Sequence, residues 1–476
     1  MAAAAVKPVR LTGPAALRVG LTFARDPLLA TRMAFGTSGP FVILAEALPF
    51  SKRARAVMLG IPLVLTAGAA FNAEILTKPD AWRGVSVLPG GPKNSAARRM
   101  IAGLPRLTGE RHAYYRKLLS PPLRRTSVEA LGVTIAGIVD AEVASWPIGE
   151  NLDLWDAVGR IMRRTSVELL FGGNDEQSHT IIALASRMME LKWRPGAFAL
   201  PINLPFTSYG RIVREAEKLE RHILQWATEK RGHPDDRDLA SIIINNPDAA
   251  GRAPDNAALV AHIASLFALS SEGSQSALTW ALLLLTQHPH IAATLRDELR
   301  SKLGGASPSL ERAGELPYLD AVIKESMRIL PPVPLQIRVA QCDTMIAGYG
   351  LPQRTRIIIN TFLTNRMQDV FPDGDVFHPE RWLDIAPNSF EFPVFSAGPH
   401  LCPGFWFGTA AVKIALAAIL ARHRLDVPPG TRVDYRAQPT LRPRQRVDVV
   451  LRRAEDNTRA VTPIAGTIRN LVKLPR

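Results

Sequence analysis

Phe395-Ser396-Ala397-Gly398-Pro399-His400-Leu401-Cys402-Pro403-Gly404 is the stretch whose reading decides the fold. It sets one thiol, Cys402, between two glycines and directly ahead of a run rich in Ala, Leu and Ile that reads as an apolar helix ending near His423. Glycine lets a backbone approach closer than a Cβ would allow, so Gly398 and Gly404 are expected to bring this loop against a flat ligand. Amides that open the following helix point back toward the sulfur, and the positive helix end favours a thiolate there. A lone cysteine in apolar surroundings is ordinarily inert packing. The spacing Phe-x-x-Gly-x-x-x-Cys-x-Gly sets this one apart.

Working outward, the chain has 476 residues, 47% of them hydrophobic, and suits a globular protein with a sizeable core rather than a disordered one. Cys342 and Cys402 are its only cysteines, so no disulfide framework is expected and a reducing, cytoplasmic setting fits. Cys342 reads as an ordinary buried or half-buried thiol. The formal net charge is +15, with eleven Arg and Lys against four Asp and Glu from Thr431 to Arg476. Such a basic face suits an acidic protein partner or an anionic surface. No nucleic-acid motif accompanies the charge, so nucleic acid is not an expected partner. The first twenty residues lack a charged start followed by an apolar core, so no signal peptide is read. The segment Pro14 to Phe35 is expected to pack on the fold's own surface, with membrane contact at most peripheral.

Strands are expected over Phe41 to Leu48, and around a turn from Val57 to Phe71. Helical patterns then dominate: Ala113 to Leu119, Arg125 to Val143, Leu152 to Phe171, Ser178 to Leu191 and Ser208 to Lys230. Ala257 to His288 is far longer than a usual helix and carries Ser270-Ser271-Glu272-Gly273-Ser274 at its middle, the mark of a kink or a ligand cavity. Helices follow over Ile291 to Leu303 and Tyr318 to Leu330. Strands follow near Arg338 to Ala347, Arg356 to Asn360, Val433 and Val447 to Leu451. The fold class is therefore mainly α with small β-sheets (α+β).

A thiolate presented by such a loop is the axial ligand with which haem iron splits an O–O bond. Glu325 and Arg328 lie three apart on one helix face, and Arg381 follows in Phe377-His378-Pro379-Glu380-Arg381-Trp382. A buried glutamate held by two rigid guanidinium forks would fix the loop that carries the cysteine. These motifs, with Leu278-Thr279-Trp280 and Gln287-His288-Pro289, resemble the cytochrome P450 family over roughly residues 40 to 453. Asn203-Leu204-Pro205 resembles branches of that family that handle sterols, retinoids and other isoprenoids. The resemblance implies a single P450-fold domain over 41–453, flanked by an N-terminal segment (1–40) and a C-terminal extension (454–476). It implies heme b (iron protoporphyrin IX) with Cys402 as the iron ligand, in a loop that includes Phe395, Gly398 and Gly404. It further implies a Glu325–Arg328–Arg381 structural triad, and places partners for the haem propionates at His112, Arg116, Arg338 and His400.

Members of the family carry an acid followed by a threonine at the central kink. Aligned on Ser276-Ala277-Leu278-Thr279-Trp280, this chain has Glu272 at the acid and Gly273 at the threonine. Three readings stay open. Ser274, Ser270 or water does the threonine's work; a substrate hydroxyl completes the relay; or the usual oxygen cycle is not run. The leading expectation is a monooxygenase, an oxidoreductase of secondary metabolism that oxidises a lipophilic terpenoid, fatty acyl or polyketide-like molecule. Glu272, Gly273 and Ser274 form the catalytic segment, and a separate ferredoxin or flavoprotein supplies electrons. The alternative is a rearrangement, dehydration or peroxide-using enzyme that needs no donor. The pocket is expected to draw on Val85 to Leu104, on Leu266, Leu269 and Ser270, on Val333, Leu335 and Ile337, and on the turn at Leu441 to Gln445.

Overall fold

The computed structural model describes residues 8–475 except 45–62, 87–89, 174–175, 193–196, 198–201, 232–237, 249, 305–313, 438 and 455–459. Its principal helices are α1 (Gly13–Arg25), α2 (Pro27–Ser38), α3 (Gly109–Leu119), α4 (Leu154–Phe171) and α5 (Glu176–Leu191). They continue with α6 (Ser208–Lys230), α7 (Asn256–Ser270), α8 (Glu272–Gln287), α9 (Pro317–Ile329) and α10 (Phe405–Arg422). Side-chain caps start several of them. Asp153 accepts from the amides of Trp155 and Asp156 ahead of α4, Thr207 from Gly210 ahead of α6, and Asp255 from Ala258 ahead of α7. Gly172, at φ +68°, ends α4 in the left-handed conformation usual for a helix C-terminus.

The strands are β1 (Val9–Leu11), β2 (Phe41–Leu44), β3 (Leu63–Thr66), β4 (Trp82–Gly84), β5 (Asn151–Asp153), β6 (Leu335–Ala340) and β7 (Thr344–Ile346). After these come β8 (Tyr349–Leu351), β9 (Arg356–Asn360), β10 (His423–Asp426), β11 (Tyr435–Ala437), β12 (Leu441–Pro443) and β13 (Asp448–Arg453). One sheet has the order β1-β2-β3-β9-β6-β4 and joins the N-terminal strands to the segment 335–360, Leu65 pairing with Ile358 in parallel and Ile358 with Ile337 in antiparallel register. A second sheet runs β10-β13-β5, and β11-β12 and β7-β8 are separate hairpins. The mainly helical α+β architecture expected from the sequence is the one observed.

Within the helical body α8 packs on α4, α9 and α10, so its apolar residues from Ala277 to Leu285 are buried on all sides. Val19, Phe23, Ala30 and Ala34 of the N-terminal helices close over Val42, Leu65 and Ile358 of the six-stranded sheet. Several expected boundaries move. Ala69–Leu76 is helical rather than the end of a strand, the chain turning at Gly68 (φ +102°). Residues 45–62 of the expected N-terminal strands lie outside the described residues. The run Arg125 to Val143 splits at Leu131 into Arg125–Ala130 and Gly132–Ala144, where the Leu131 amide bonds to Val128 three residues back and tightens the turn. The long helix is interrupted at Ser271. Cys342 is exposed, not buried: it falls in the turn between β6 and β7.

Candidate active site

The cysteine loop descends from two single 3₁₀ turns, Pro393–Phe395 and Gly398–His400, into the first residue of α10. The Cys402 amide donates to the Phe395 carbonyl at 2.8 Å, and the Gly408 amide to Gly404 at 2.8 Å as the helix begins. The Phe395 ring meets Phe405 edge-on, 4.7 Å between centroids. Gly398 has φ +62°, and a Cβ there would stand 2.5 Å from the Leu76 carbonyl oxygen. Its glycine requirement therefore comes from the close approach of protein backbone, a different cause from the ligand approach expected. Burial pushes the Cys402 thiol up, while the Gly404 amide and the Arg116 guanidinium pull it down.

Around the loop gather the four groups expected to meet carboxylates. His112 and Arg116 come from α3, Arg338 from β6 and His400 from the loop itself. The His112 and His400 rings lie 4.3 Å apart between centroids. Burial first, then the nearby His112, Arg338 and Arg116, push His400 down to about 4, and burial holds Arg338 down to about 10. Arg338 donates to Ser396 Oγ at 3.2 Å, but among the described residues none of the four ion-pairs with a carboxylate. His400 Nε2 is buried without a hydrogen-bond partner. Two desolvated guanidiniums, Arg116 and Arg338, beside an orphaned buried ring nitrogen are costly unless an anion joins them. The set fits the two propionates of a haem, which these four residues would hold while Cys402 would bind its iron.

Glu325 lies at the centre of the structural triad and is fully buried with Arg328. Arg328 Nε and Nη2 donate to its two oxygens at 2.7 and 2.8 Å, and Arg381 Nε adds a bond of 3.2 Å. Trp382 Nε1 and the His378 amide, each at 2.9 Å, complete the set. Burial pushes the Glu325 carboxyl up, but the Arg328 bonds and charge outweigh it, so the carboxyl sits below the usual range. Arg328 Nη1 also donates to the carbonyls of Asn365 and Gly374, and Nη2 to that of Val376. A further arginine that the sequence reading missed, Arg366, lies over the Phe362 ring at 3.7 Å and bonds to the carbonyls of Phe362, Ile329 and Leu471.

At the break between α7 and α8 three candidates for the missing threonine's work separate. The Ser270 hydroxyl donates to Phe267 of its own helix at 3.2 Å. Ser274 faces the other way: its Oγ is 3.2 Å from where a Cβ of Gly408 in α10 would stand. At Gly273 an added Cβ would meet nothing within 4 Å. Glu272 is held by Lys192, Nζ to Oε2 2.8 Å, and this lysine was not foreseen. It lies one residue past α5, where an amphipathic pattern suggests an exposed end; its side chain is 0% exposed.

The expected pocket residues fall in different places. Leu266 is partly buried against the helical core, as is Leu335, which also touches the cluster beneath α1 and α2. Ile337 packs in that second cluster, because β6 side chains alternate and Gln336 and Arg338 take the face toward the cysteine loop. Val333 is half-buried, and the side chain of Leu269 and residues 87–89 lie outside the described residues. Leu441 of the expected turn accepts from Ser276 and Trp280, latching the β11–β12 hairpin to α8. A cavity of about 640 Å³ between α5 and α6 is lined by Arg187, Glu190, Arg211, Arg214 and Glu215, too charged for a lipophilic guest.

Comparison with known proteins agrees with this geometry. Residues 91–450 match the family described as Cytochrome P450. Cyclooctat-9-en-7-ol 5-monooxygenase of Streptomyces melanosporofaciens is 26% identical over 76% of this chain and 82% of its own length. Pentalenene oxygenase of Streptomyces avermitilis is 25% identical over 68% and 73%, and ent-kaurenoic acid oxidase 2 of Arabidopsis thaliana 25% over 78% and 76%. The solved retinoic acid bound cyanobacterial CYP120A1 superposes with a TM-score of 0.74 at 22% identity, over 91% of this chain and 96% of that one, and so shares the fold. These names support an oxidoreductase of the monooxygenase kind and lend nothing to the donor-independent alternative. A kinked central helix, a buried Glu–Arg pair and a cysteine loop in this order, within a family match over three quarters of the chain, mean that the protein belongs to the cytochrome P450 family.

Proposed function

We infer that the protein is a haem-thiolate monooxygenase that inserts one atom of O2 into a lipophilic, terpenoid-like substrate, with electrons from a separate ferredoxin or flavoprotein. The observation that carries this reading is the convergence on Cys402 of four basic groups with no carboxylate partner among the described residues. In it, Cys402 Sγ binds the iron of heme b, and His112, Arg116, Arg338 and His400 hold its propionates. The bound haem supplies oxygen activation; the protein supplies binding, orientation and proton control. Glu325, Arg328 and Arg381 tie α9 to the segment from Asn365 to Trp382 that leads into the cysteine loop. Glu272 serves the proton supply at the helix break, and the open space at Gly273 admits a substrate group or water where family members carry a threonine. Proton delivery of this kind is worth about 10²–10⁴ in rate.

Terpenoid chemistry is supported by the names of the bacterial relatives. An acidic electron donor suits the net charge of +15. Two helical stretches are long and apolar enough to cross a bilayer, 256–287 and 405–422, but 56% and 61% of their apolar windows are buried inside the protein. That supports a soluble enzyme with at most peripheral membrane contact.

The test is turnover of a panel of cyclic terpenes under ¹⁸O2 with a ferredoxin–reductase pair, beside an arm with unlabelled peroxide and no donor. Carbon-monoxide difference spectra of the reduced wild type and of Cys402→Ala check the ligand. Label in a product and loss of the thiolate spectrum in the variant are the expected results. Product in the peroxide arm alone, or an unchanged spectrum in Cys402→Ala, would overturn the reading.

A further inference from the structure

Ser396, in the loop that leads to Cys402, has a backbone conformation that serine seldom takes. Its φ is +62° and its ψ −167°, a region left almost entirely to glycine because a Cβ crowds the backbone there. The other non-glycine residues with positive φ among the described residues are Asn94, Ala347, Arg354 and Asp373, and each lies in a turn. Ser396 is held between fixed points instead. Its amide donates to the Pro393 carbonyl at 3.0 Å, the Phe395 carbonyl before it accepts from the Cys402 amide at 2.8 Å, and Ala397 after it is fully buried. The loop therefore dictates this φ whatever the side chain, and glycine would adopt it without strain. A residue kept in a strained conformation points to work done by its side chain.

Ser396 Oγ accepts from Arg338 Nη2 at 3.2 Å. The other contacts of that guanidinium come from its own strand, β6: Nη1 donates to the Ile337 carbonyl at 3.2 Å, and Nη2 reaches Gln336 Oε1 only at 3.5 Å. Gln336 is itself engaged, its Nε2 donating to Thr361 Oγ1 and to the Pro393 carbonyl. Among the described residues, Ser396 is thus the contact that ties the Arg338 side chain across to the cysteine loop. A long arginine loses rotamer freedom when it grips an anion, and a partner that fixes it beforehand removes that cost from binding. We propose that Ser396 is a positioning residue for Arg338: its hydroxyl holds the guanidinium ready for a haem propionate, and this keeps a serine at a backbone position that suits glycine. This rests on the reading of Arg338 as a propionate partner.

The experiment uses the haem-loaded full chain in five forms: wild type, Ser396→Ala, Ser396→Gly, Arg338→Met and the double variant Ser396→Gly/Arg338→Met. For each, the rate of haem transfer to excess apomyoglobin, the melting temperature and the carbon-monoxide difference spectrum are measured. Expected is haem release roughly threefold to tenfold faster in both serine variants, the effect of one hydrogen bond on how Arg338 is held. Ser396→Gly nevertheless melts above Ser396→Ala, by about 1 °C or more, because only glycine is at ease at this φ. In the Arg338→Met background, Ser396→Gly changes haem release by less than about twofold, since the hydroxyl has no guanidinium left to hold. The thiolate spectrum persists in all five, and its loss in Ser396→Gly would overturn the proposal by showing that the serine shapes the loop itself. A serine that merely shapes the loop would also alter haem release by the same factor with or without Arg338, and that result overturns the proposal. So does wild-type haem release in either serine variant, or Ser396→Gly melting below Ser396→Ala. Arg338→Met with wild-type haem release would instead remove the reading on which it rests. Should Ser396→Ala fail to load haem, the glycine variant and the double variant decide.

Discussion

Replacing Arg328 by methionine tests whether the triad holds the site together. The substitution keeps most of the side-chain volume and removes the bidentate fork on Glu325, at 2.7 and 2.8 Å. Glu325 stays fully buried with Arg381, Trp382 and the His378 amide as remaining partners. Breaking a buried pair costs about 3–5 kcal/mol. The carbonyls of Asn365, Gly374 and Val376 also lose their donor, at about 1–3 kcal/mol for each one left unpaired. Partial relaxation offsets some of this, so the expected loss is about 5 kcal/mol. Arg381→Met gives up one long bond to Glu325 and one to the Pro372 carbonyl, at the edge of the cluster, and should cost about 2 kcal/mol. With an unfolding entropy near 2.1 cal/mol/K per residue, a chain of 476 residues loses roughly 1 °C per kcal/mol. Melting temperatures by calorimetry should therefore fall by about 5 °C in Arg328→Met and about 2 °C in Arg381→Met. Because the folded Glu325 carboxyl lies below its unfolded value of about 4.3, its contribution is present above that pH and is lost as pH falls through the folded value. Glu325→Gln should lack that acid-dependent part. Equal melting shifts in the two arginine variants, or a larger one in Arg381→Met, would refute the reasoning.

Three further outcomes are expected. Gly398→Ala forces a Cβ to within 2.5 Å of the Leu76 carbonyl at a positive φ, so the purified protein should retain less than half the wild-type haem per chain, read from its absorbance ratio. Gly273→Thr, with no atom within 4 Å of the new Cβ, should fold with a nearly unchanged melting temperature, since position 273 lies in the first turn of α8 and glycine and threonine differ there by only about 0.3 kcal/mol; a drop of several degrees would show that the space is not there. His262, buried against Tyr115 with its ring centroid 3.9 Å away and Nδ1 unpartnered, is pushed by burial, then Arg111, down to about 4. The unfolded chain, with the group near 6.5, takes the proton first, so stability should decline as pH falls from about 6.5 to about 4, by up to ~3 kcal/mol. His262→Gln should flatten that part of a denaturant-midpoint profile.

What the sequence determined by itself is what local chemistry encodes. The spacing around Cys402, the i,i+3 pair Glu325–Arg328 and the polar interruption at Ser270 to Ser274 are short-range patterns. Each marks its element because a glycine, a fork or a helix break works within a few residues. Helices such as Ser208–Lys230 were legible for the same reason: an amphipathic stripe repeats along one element. What only the tertiary structure decided involves partners far apart in the chain. Nothing in the residues around Lys192 announces that it meets Glu272, or in those around Gly398 that its constraint is the Leu76 carbonyl. The side-chain alternation of β6, which sends Ile337 to the N-terminal helices and Arg338 toward the cysteine loop, depends on register with β9. Pairings across eighty to more than three hundred positions depend on which surfaces the packed helices bring together, and a charge can be buried only where the fold supplies its counter-charge.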